Sequence, residues 1–361
     1  MRYALKPSVE SVLSTCAPSA RLTPAAVPMA GFLSGVGRAL CGAGAAGGGG
    51  GAPAPTAAAG EGARVRGVVE FEVGAEFLVR LAREAGAAIM EVYARGAGGE
   101  GAEAKGDGSP LTEADTRANA VICAGLARAC PHVPIVSEET RAAPWEVRRG
   151  YQYCFVVDPL DGTKEFLKRN GQFTVNIALV RGTRAVLGVV HAPASGETWW
   201  AAEGQGAWRR RGGDQDERLF CREFSEADAG LSVVGSASHA SPATAAFLER
   251  LREPEMTTMG SSLKFMLVAE GRAHIYPRLA PTCEWDTAAS QIVVEEAGGC
   301  VLQAGLCGPK GEALEQWQDV LPRGRPVEYN KQNLLNPFFV VYGKRRAGEA
   351  EQAEEVGRAE T

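Results

Sequence analysis

The sequence predicts an α+β half followed by an α/β half, and three observations carry that prediction. Apolar residues recur at spacings of three and four from Phe77 to Val92, the period of a helix with one buried face. Between residues 134 and 202 short runs rich in Val, Ile, Phe and Thr are separated by Gly-containing turns, the pattern of a meandering sheet. Past residue 222 the pattern changes to strand, helix, strand, helix.

Taken in order, the first helix buries Phe77, Leu78, Leu81, Ala82, Ala85, Ile89, Met90 and Val92. A second helix starts after Thr112, a candidate N-cap, and sets Val121, Ile122, Gly125 and Leu126 inward. Strands are expected at 134–136, 153–157, 174–180, 186–191 and 197–202, divided by turns such as Arg181-Gly182 and Ala194-Ser195-Gly196. The charged stretch from Arg209 to Glu217 and the stretch from Gly305 to Val320 read as surface loops. The second half opens on Val233-Val234. It continues with a helix around Ala243 to Leu251, a helix from Ser262 to Glu270, a strand over Ala273 to Tyr276 and a helix from Trp285 to Glu296.

At 361 residues the chain can hold one large or two medium domains. The expected organisation is a leader over residues 1–68, an N-terminal domain over 69–222, a C-terminal domain over 223–345 and an acidic tail over 346–361. The leader has Glu10 as its lone acidic residue up to residue 60, beside Arg2, Lys6, Arg21 and Arg38, and is rich in Ala, Ser, Pro and Gly. That composition predicts a segment without a packed core, and it fits an organellar transit peptide for a plastid or mitochondrion. A low-complexity extension of a cytoplasmic protein is the other reading. The net charge of −5 and pI near 5.6 exclude the basic footprint of a nucleic-acid-binding surface. No apolar run reaches the roughly 20 residues that a membrane helix needs, so no membrane partner is expected. The nine cysteines, at 16, 41, 123, 130, 154, 221, 283, 300 and 307, form no C-x-x-C pair and are expected to be reduced core residues. A reversible disulfide through Cys221 or Cys307 is a minor alternative.

The chemistry concentrates in Asp158-Pro159-Leu160-Asp161-Gly162-Thr163. Two carboxylates three residues apart follow the apolar Phe155-Val156-Val157, Pro159 stiffens the chain and Gly162 lets it turn sharply. Both aspartates and the Leu160 carbonyl can then point one way, an oxygen set suited to Mg2+, with Thr163 within reach of a water on the metal. The same residues also suit an ordinary β-turn. Glu138, in Ser137-Glu138-Glu139, lies just past a strand end, and Asp286 opens the helical Trp285-Asp286-Thr287-Ala288-Ala289 near the positive end of its dipole. Asp115 lies in Ser109-Pro110-Leu111-Thr112-Glu113-Ala114-Asp115, a turn and helix start whose other reading is plain capping. Acidic sites beside strand and helix ends, with no histidine among them, favour Mg2+ over zinc or iron.

These runs resemble the signature of the inositol monophosphatase superfamily, lithium-sensitive Mg2+-dependent phosphatases. Lys164 to Gly171, Phe173 to Leu179, Gly260-Ser261-Ser262-Leu263-Lys264-Phe265 and Tyr276-Pro277-Arg278 are similar to its bacterial-type 3′(2′),5′-bisphosphate nucleotidases. The likeness covers roughly residues 75 to 343, in order. It implies a five-layer αβαβα sandwich, with the site between the halves. It also implies two or three Mg2+ ions held by Glu138, Asp158, the Leu160 carbonyl, Asp161 and Asp286. Thr163 would bind the attacking water, while Asp115 accepts a proton through Thr163 or holds a more labile metal. Gly162, Lys164, His239, Ser261, Lys264 and Arg278 are the implied substrate contacts. Tyr276 is expected to pack.

The implied reaction removes the 3′-phosphate of adenosine 3′,5′-bisphosphate to give AMP, with 3′-phosphoadenosine 5′-phosphosulfate as a second substrate, in sulfur assimilation. The partner is this small nucleotide, and the protein is a monomer or homodimer. An inositol or sugar phosphatase is the rival within the superfamily; Lys164-Glu165-Phe166 stands where the inositol enzymes have Thr-Asn-Phe. A catalytically silent nucleotide or metal sensor would have lost a carboxylate or Thr163, and all are present. Ser290 departs from the family's glycine after Trp-Asp-Thr-Ala-Ala, and a tolerated change is expected there.

Overall fold

A computed structural model describes residues 64–66, 72–96, 103–104, 110–213, 215–236, 242–305 and 324–346, all within the compact unit Ala58–Thr361. The leader up to residue 63, His239, Cys16, Cys41 and Cys307 lie outside the described residues, as does the stretch 306–323.

A short ribbon of β1 (Arg64–Arg66) and β2 (Glu72–Gly74) leads into α1 (Ala75–Ala94). A second ribbon, β3 (Glu103–Ala104) and β4 (Pro110–Leu111), precedes α2 (Glu113–Ala129). Thr112 caps α2 as expected: its hydroxyl accepts from Ala114 N–H, and Asp115 accepts from Thr112 N–H in return.

The first sheet is assembled from β5 (Ile135–Ser137), β6 (Tyr153–Asp161), β7 (Thr174–Arg181), β8 (Arg184–Ala192), β9 (Glu197–Ala202), β10 (Ala207–Arg211) and β11 (Asp216–Arg218). Its order, β11-β10-β9-β8-β7-β6-β5, is an antiparallel meander except for the parallel pair β5 and β6. Two short helices, α3 (Trp145–Arg148) and α4 (Thr163–Leu167), flank β6 in sequence.

The second half begins with β12 (Glu223–Phe224) and continues through β13 (Ser232–Gly235), α5 (Pro242–Leu248), β14 (Glu255–Thr258), α6 (Leu263–Ala269) and β15 (Ile275–Arg278). A 3-10 turn at Glu284–Asp286, α7 (Ala288–Glu296), β16 (Cys300–Gly305), β17 (Phe338–Tyr342) and β18 (Lys344–Arg345) complete it. The second sheet has the order β14-β13-β15-β17-β16, and β12 pairs separately with β18.

Strand alternation explains the layers. Phe155, Val157, Ile177, Leu179 and Val189 point into one core shared with Leu78, Ala82, Ile89 and Ile122 of α1 and α2. Their neighbours Val156, Ala178 and Val190 point the other way, into a core shared with Phe265, Ile292 and Val293 of α6 and α7 and with Tyr276 and Val341 of the second sheet. The far face of that sheet, through Val233, Ile275 and Val340, packs on Phe247 of α5. The order is helix, sheet, helix, sheet, helix: the expected five-layer αβαβα sandwich. No helix among the described residues is long and apolar enough to cross a membrane.

Helix α7 lies close against the first sheet. A Cβ on Gly188 would stand 2.5 Å from the Ala289 carbonyl oxygen, so this strand position accepts no side chain without backbone movement. Ser290 on α7 is fully buried, and its hydroxyl finds no hydrogen-bond partner among the described residues. Burying that hydroxyl costs free energy that the family's glycine does not.

One surface-loop expectation is corrected. Arg209 to Glu217 forms most of the β10–β11 hairpin, because Arg209 and Arg210 are buried by ion pairs rather than solvated. Arg209 Nη1 is 2.8 Å from Glu270 Oε1 at the end of α6, and Arg210 pairs with Asp216 and with Glu76 of α1. The helix expected from Trp285 to Glu296 is split, with Asp286 ending the 3-10 turn and α7 starting at Ala288. The cysteines at 123, 130, 154, 221, 283 and 300 are free; burial pushes the Cys221 thiol up to about 12, keeping it protonated and unreactive.

Candidate active site

The two central aspartates face the same way because of an irregularity in β6. Asp158 pairs with Asn176 and Asp161 with Thr174, so three steps on β6 oppose two on β7. In a regular strand residues three apart point to opposite faces; the extra residue puts both carboxylates on one face. The expected turn is therefore a bulged strand that runs to Asp161. Leu160 N–H donates to Asp158 Oδ1 at 3.0 Å, which fixes the bulge.

Gly162 follows with φ +93°, and a Cβ there would meet the Gln172 carbonyl oxygen at 3.1 Å. That conformation and that approach both require glycine. The chain then enters α4, and Thr163 Oγ1 lies 3.4 Å from Asp115 Oδ1 and 3.4 Å from the Leu160 carbonyl. Asp115 is fully buried, and its other oxygen accepts from the Thr112 hydroxyl.

Glu138 leaves the end of β5 and donates its N–H to the Val157 carbonyl, which puts it beside Asp158. Asp286 reaches the same region from the 3-10 turn, where its Oδ2 accepts from Cys283 N–H at 2.9 Å. Asp161 Oδ2 accepts from Ser261 Oγ and Ser262 N–H, each at 2.6 Å.

Two of these carboxylates, Asp158 and Asp286, hold their protons more tightly than a free aspartate. Burial first, then the charges of Glu138, Asp161 and Asp286, hold the Asp158 carboxyl well above the usual carboxylate range. Burial, then Asp161 and Glu138, pushes Asp286 up to about 8. Among the described residues no three His, Cys, Asp or Glu side chains converge as a ready-made metal cage. The donor set nonetheless fits Mg2+. It is all oxygen, its charges repel until a cation is present, and Mg2+ completes its octahedron with water rather than demanding a full protein cage.

A cavity of about 260 Å3 opens over this cluster. Asp161, Gly162, Thr163 and Lys164 line it from one half of the chain, and Ser261, Lys264, Arg278 and Asp286 from the other. Asp115, Asp158 and Leu160 are buried and Glu138 half-buried, none of them on its wall. Lys164 is exposed. Lys264 is buried, its Nζ donating to the carbonyls of Ser261 at 2.6 Å and Met259 at 3.3 Å and sitting 5.4 Å from the centre of the Tyr276 ring. Burial, aided by the Arg278 charge and opposed by Asp161, brings the Lys264 ammonium down to about 8. Arg278 Nη2 donates to the Pro281 carbonyl at 2.8 Å, while its buried Nε finds no partner among the described residues. Tyr276 packs edge-on against Phe265 and Phe339, as expected, but is also part of the wall.

Ser236, Thr282 and Thr287 also line the cavity and were not singled out from the sequence. Thr287 lies inside the Trp-Asp-Thr-Ala-Ala run, which was the available signal. Ser236 directly follows β13, a strand end recognisable only once the second sheet is placed.

The sequence model of the inositol monophosphatase family matches residues 71–337. The chain is 44% identical over 263 residues to the 3′(2′),5′-bisphosphate nucleotidase CysQ of Escherichia coli O157:H7, spanning 73% of this chain and 96% of that protein. With the CysQ of Salmonella typhimurium strain LT2 it shares 43% over 267 residues, 74% of this chain and 98% of the relative. Among solved structures, CysQ from Bacteroides thetaiotaomicron superposes with a TM-score of 0.60 at 38% identity, covering 75% of this chain and 97% of that one. The Thermotoga maritima inositol monophosphatase TM1415 gives a TM-score of 0.55 at 25% identity over 79% of this chain and 98% of that one.

Proposed function

This chain belongs to the inositol monophosphatase family, and from that premise we propose that it is a Mg2+-dependent phosphatase converting adenosine 3′,5′-bisphosphate to AMP and phosphate. The enzyme is a 3′(2′),5′-bisphosphate nucleotidase, with 3′-phosphoadenosine 5′-phosphosulfate as a second substrate and a role in sulfur assimilation. One observation carries this reading: the half-buried carboxylates of Asp161 and Asp286 and the cationic side chains of Lys264 and Arg278 line one cavity. A substrate with two phosphates on one sugar needs carboxylates to hold metal at the first and cationic side chains at the second.

Phosphate monoesters hydrolyse extremely slowly unaided, so the site must hold the anion, place a water and receive its proton. Glu138, Asp158, Asp161, Asp286 and the Leu160 carbonyl would hold two or three Mg2+ ions, which when bound neutralise the phosphoryl oxygens and make water acidic. Thr163 Oγ1 orients that water. The proton passes through the Thr163 hydroxyl to Asp115 Oδ1, 3.4 Å away. Lys264 and Arg278 hold the second phosphate, Lys264 as a point charge and Arg278 as a fork. The half over residues 69–222 supplies most of the metal-binding groups and Lys164, and the half over 223–345 supplies Asp286, Lys264 and Arg278.

Phosphate release with Mg2+ tests the reading directly. Adenosine 3′,5′-bisphosphate is expected to be turned over with kcat/KM at least about tenfold above inositol 1-phosphate, which lacks a second phosphate for Lys264 and Arg278, and above inositol 1,4-bisphosphate, whose ring sets its second phosphate at a different place. Lithium is expected to inhibit. Preference for an inositol phosphate would replace the substrate and keep the metal site, and silence on every substrate would leave the sensor reading.

The acid-poor leader, residues 1–68, supports delivery to a plastid or mitochondrion. A fluorescent protein fused after residue 68 is expected to enter that organelle and to stay in the cytoplasm when the leader is removed. Cytoplasmic fluorescence with the leader present would sink this destination.

A further inference from the structure

Strand β7 carries two polar residues on one buried face, Thr174 at 0% and Asn176 at 1% exposure. They are the β7 residues paired with Asp161 and Asp158. Buried polar side chains need partners, and here the partners form a chain that ends on Asp161. Ser262 Oγ lies 2.6 Å from Thr174 Oγ1, which lies 2.7 Å from Ser261 Oγ, which lies 2.6 Å from Asp161 Oδ2.

Counting protons gives this chain a direction. Each hydroxyl has one hydrogen, and the carboxylate at the end accepts without donating. Ser261 therefore donates to Asp161 and Thr174 to Ser261, and Ser262 shares its single proton between Thr174 Oγ1 and Asn176 Oδ1. Asn176 lies alongside: its Oδ1 is 2.9 Å from Ser262 Oγ and 3.2 Å from Thr174 Oγ1, and its Nδ2 points at Asp161 Oδ2 from 3.5 Å. Hydroxyls aligned this way polarise one another toward the negative end.

Ser261 adopts a left-handed backbone, with φ +53°, that non-glycine residues rarely take. In that conformation its hydroxyl reaches Asp161 while its carbonyl accepts from Lys264 Nζ at 2.6 Å. Residues held in such backbone states persist where their surroundings over-determine them, and the hydroxyl chain is that surrounding.

Resting on the reading of Asp161 as a Mg2+ ligand, we propose that Thr174, Asn176 and the Ser262 hydroxyl are positioning groups that hold Ser261 Oγ and Ser262 N–H on Asp161 Oδ2 and leave Oδ1 alone to meet the metal. With Ser261 Oγ and Ser262 N–H already on Oδ2, the carboxylate cannot turn to chelate with both oxygens. One-oxygen ligation suits the small, strictly octahedral Mg2+; two-oxygen ligation suits Ca2+. The network therefore selects the metal as well as holding its ligand.

The test uses the full-length enzyme and Mn2+ as a spectroscopic stand-in for Mg2+, with free Mn2+ read by paramagnetic resonance and Ca2+ as competitor. Thr174→Val keeps shape and removes the hydroxyl; its Mn2+ affinity is expected to fall about tenfold, with Ca2+ competing relatively better. Thr174→Ser keeps the hydroxyl and is expected within about twofold of the parent, and Ser262→Ala is expected to follow Thr174→Val. Parent-like Mn2+ affinity and Ca2+ competition in Thr174→Val, whatever its melting temperature, would overturn the inference while leaving the phosphatase reading intact. A Thr174→Ser variant as weak as Thr174→Val would also overturn it. A parent enzyme that binds no Mn2+ would overturn the metal site and this inference together.

Discussion

Replacing Asp161 by asparagine is expected to lower kcat about a thousandfold while the melting temperature stays within a few degrees of the parent. The two expectations have different sources. A bound divalent cation supplies several kcal/mol of charge stabilisation in a phosphoryl transfer, and about 4 kcal/mol is a thousandfold in rate. Asparagine keeps the volume and an oxygen that can accept from Ser261 Oγ and Ser262 N–H, but gives up the negative charge. The fold loses little, because Asp161 contributes no buried apolar surface and its removal lessens repulsion around Asp158 and Asp286. Turnover within tenfold of the parent, measured at saturating substrate and Mg2+, would remove Asp161 from the metal set. A large fall in melting temperature with the activity loss would instead point to a structural role.

Asp161 also shows what the sequence discloses and what it withholds. Its motif is local, and Pro159 and Gly162 announce an unusual backbone, so the cluster of Asp158, Asp161 and Thr163 can be read from six residues. The way the two carboxylates come to share a face cannot, because it depends on β6 having one residue more than β7 across the same span. The meander from β6 to β9 was legible because each strand is apolar, short and ended by a turn. Strand β14 was not: all four of its residues, Glu255 to Thr258, are exposed, and an edge strand without a buried face has no alternation to show.

The hairpin of β10 and β11 failed for a different reason. A run of Arg209, Arg210 and Arg211 looks solvated until Glu270 and Glu76 arrive from distant parts of the chain, and Asp216 from across the hairpin, to pair with its first two members. Thr174 and Asn176 lie within Phe173 to Leu179, a run that carries the family likeness. Two polar residues at alternate positions of an otherwise apolar strand were the signal of a buried network, and only their partners on the Gly260 to Ser262 loop show what it holds.

The carboxylate cluster also makes the stability of the metal-free protein fall as pH rises, a dependence that Mg2+ is expected to abolish. Asp286 has its folded value near 8 against an ordinary 3.8, and Asp158 is raised as well. Between the unfolded and folded values the native state binds more protons than the unfolded chain, so stability is greatest below the unfolded value. It is lost as pH climbs through the folded one. The melting temperature without metal is expected to drop by about 5–10 °C from about pH 5 to about pH 9. Bound Mg2+ takes the place of the protons, so the same scan with saturating Mg2+ is expected to be nearly flat over that range. Asp158→Asn separates the cluster from any general alkaline effect. The amide keeps an acceptor for Leu160 N–H and removes one of the repelling charges, so the metal-free variant is expected to melt above the parent at high pH and to converge with it at low pH. Mg2+ is expected to stabilise the variant much less than the parent. A parent whose melting temperature is level across the range without metal, or a variant that melts below it at high pH, would show that these carboxylates do not share one field. Repulsion in the empty site and affinity for the ion have one origin: four acidic groups brought to one place by β5, the bulge of β6 and the turn before α7.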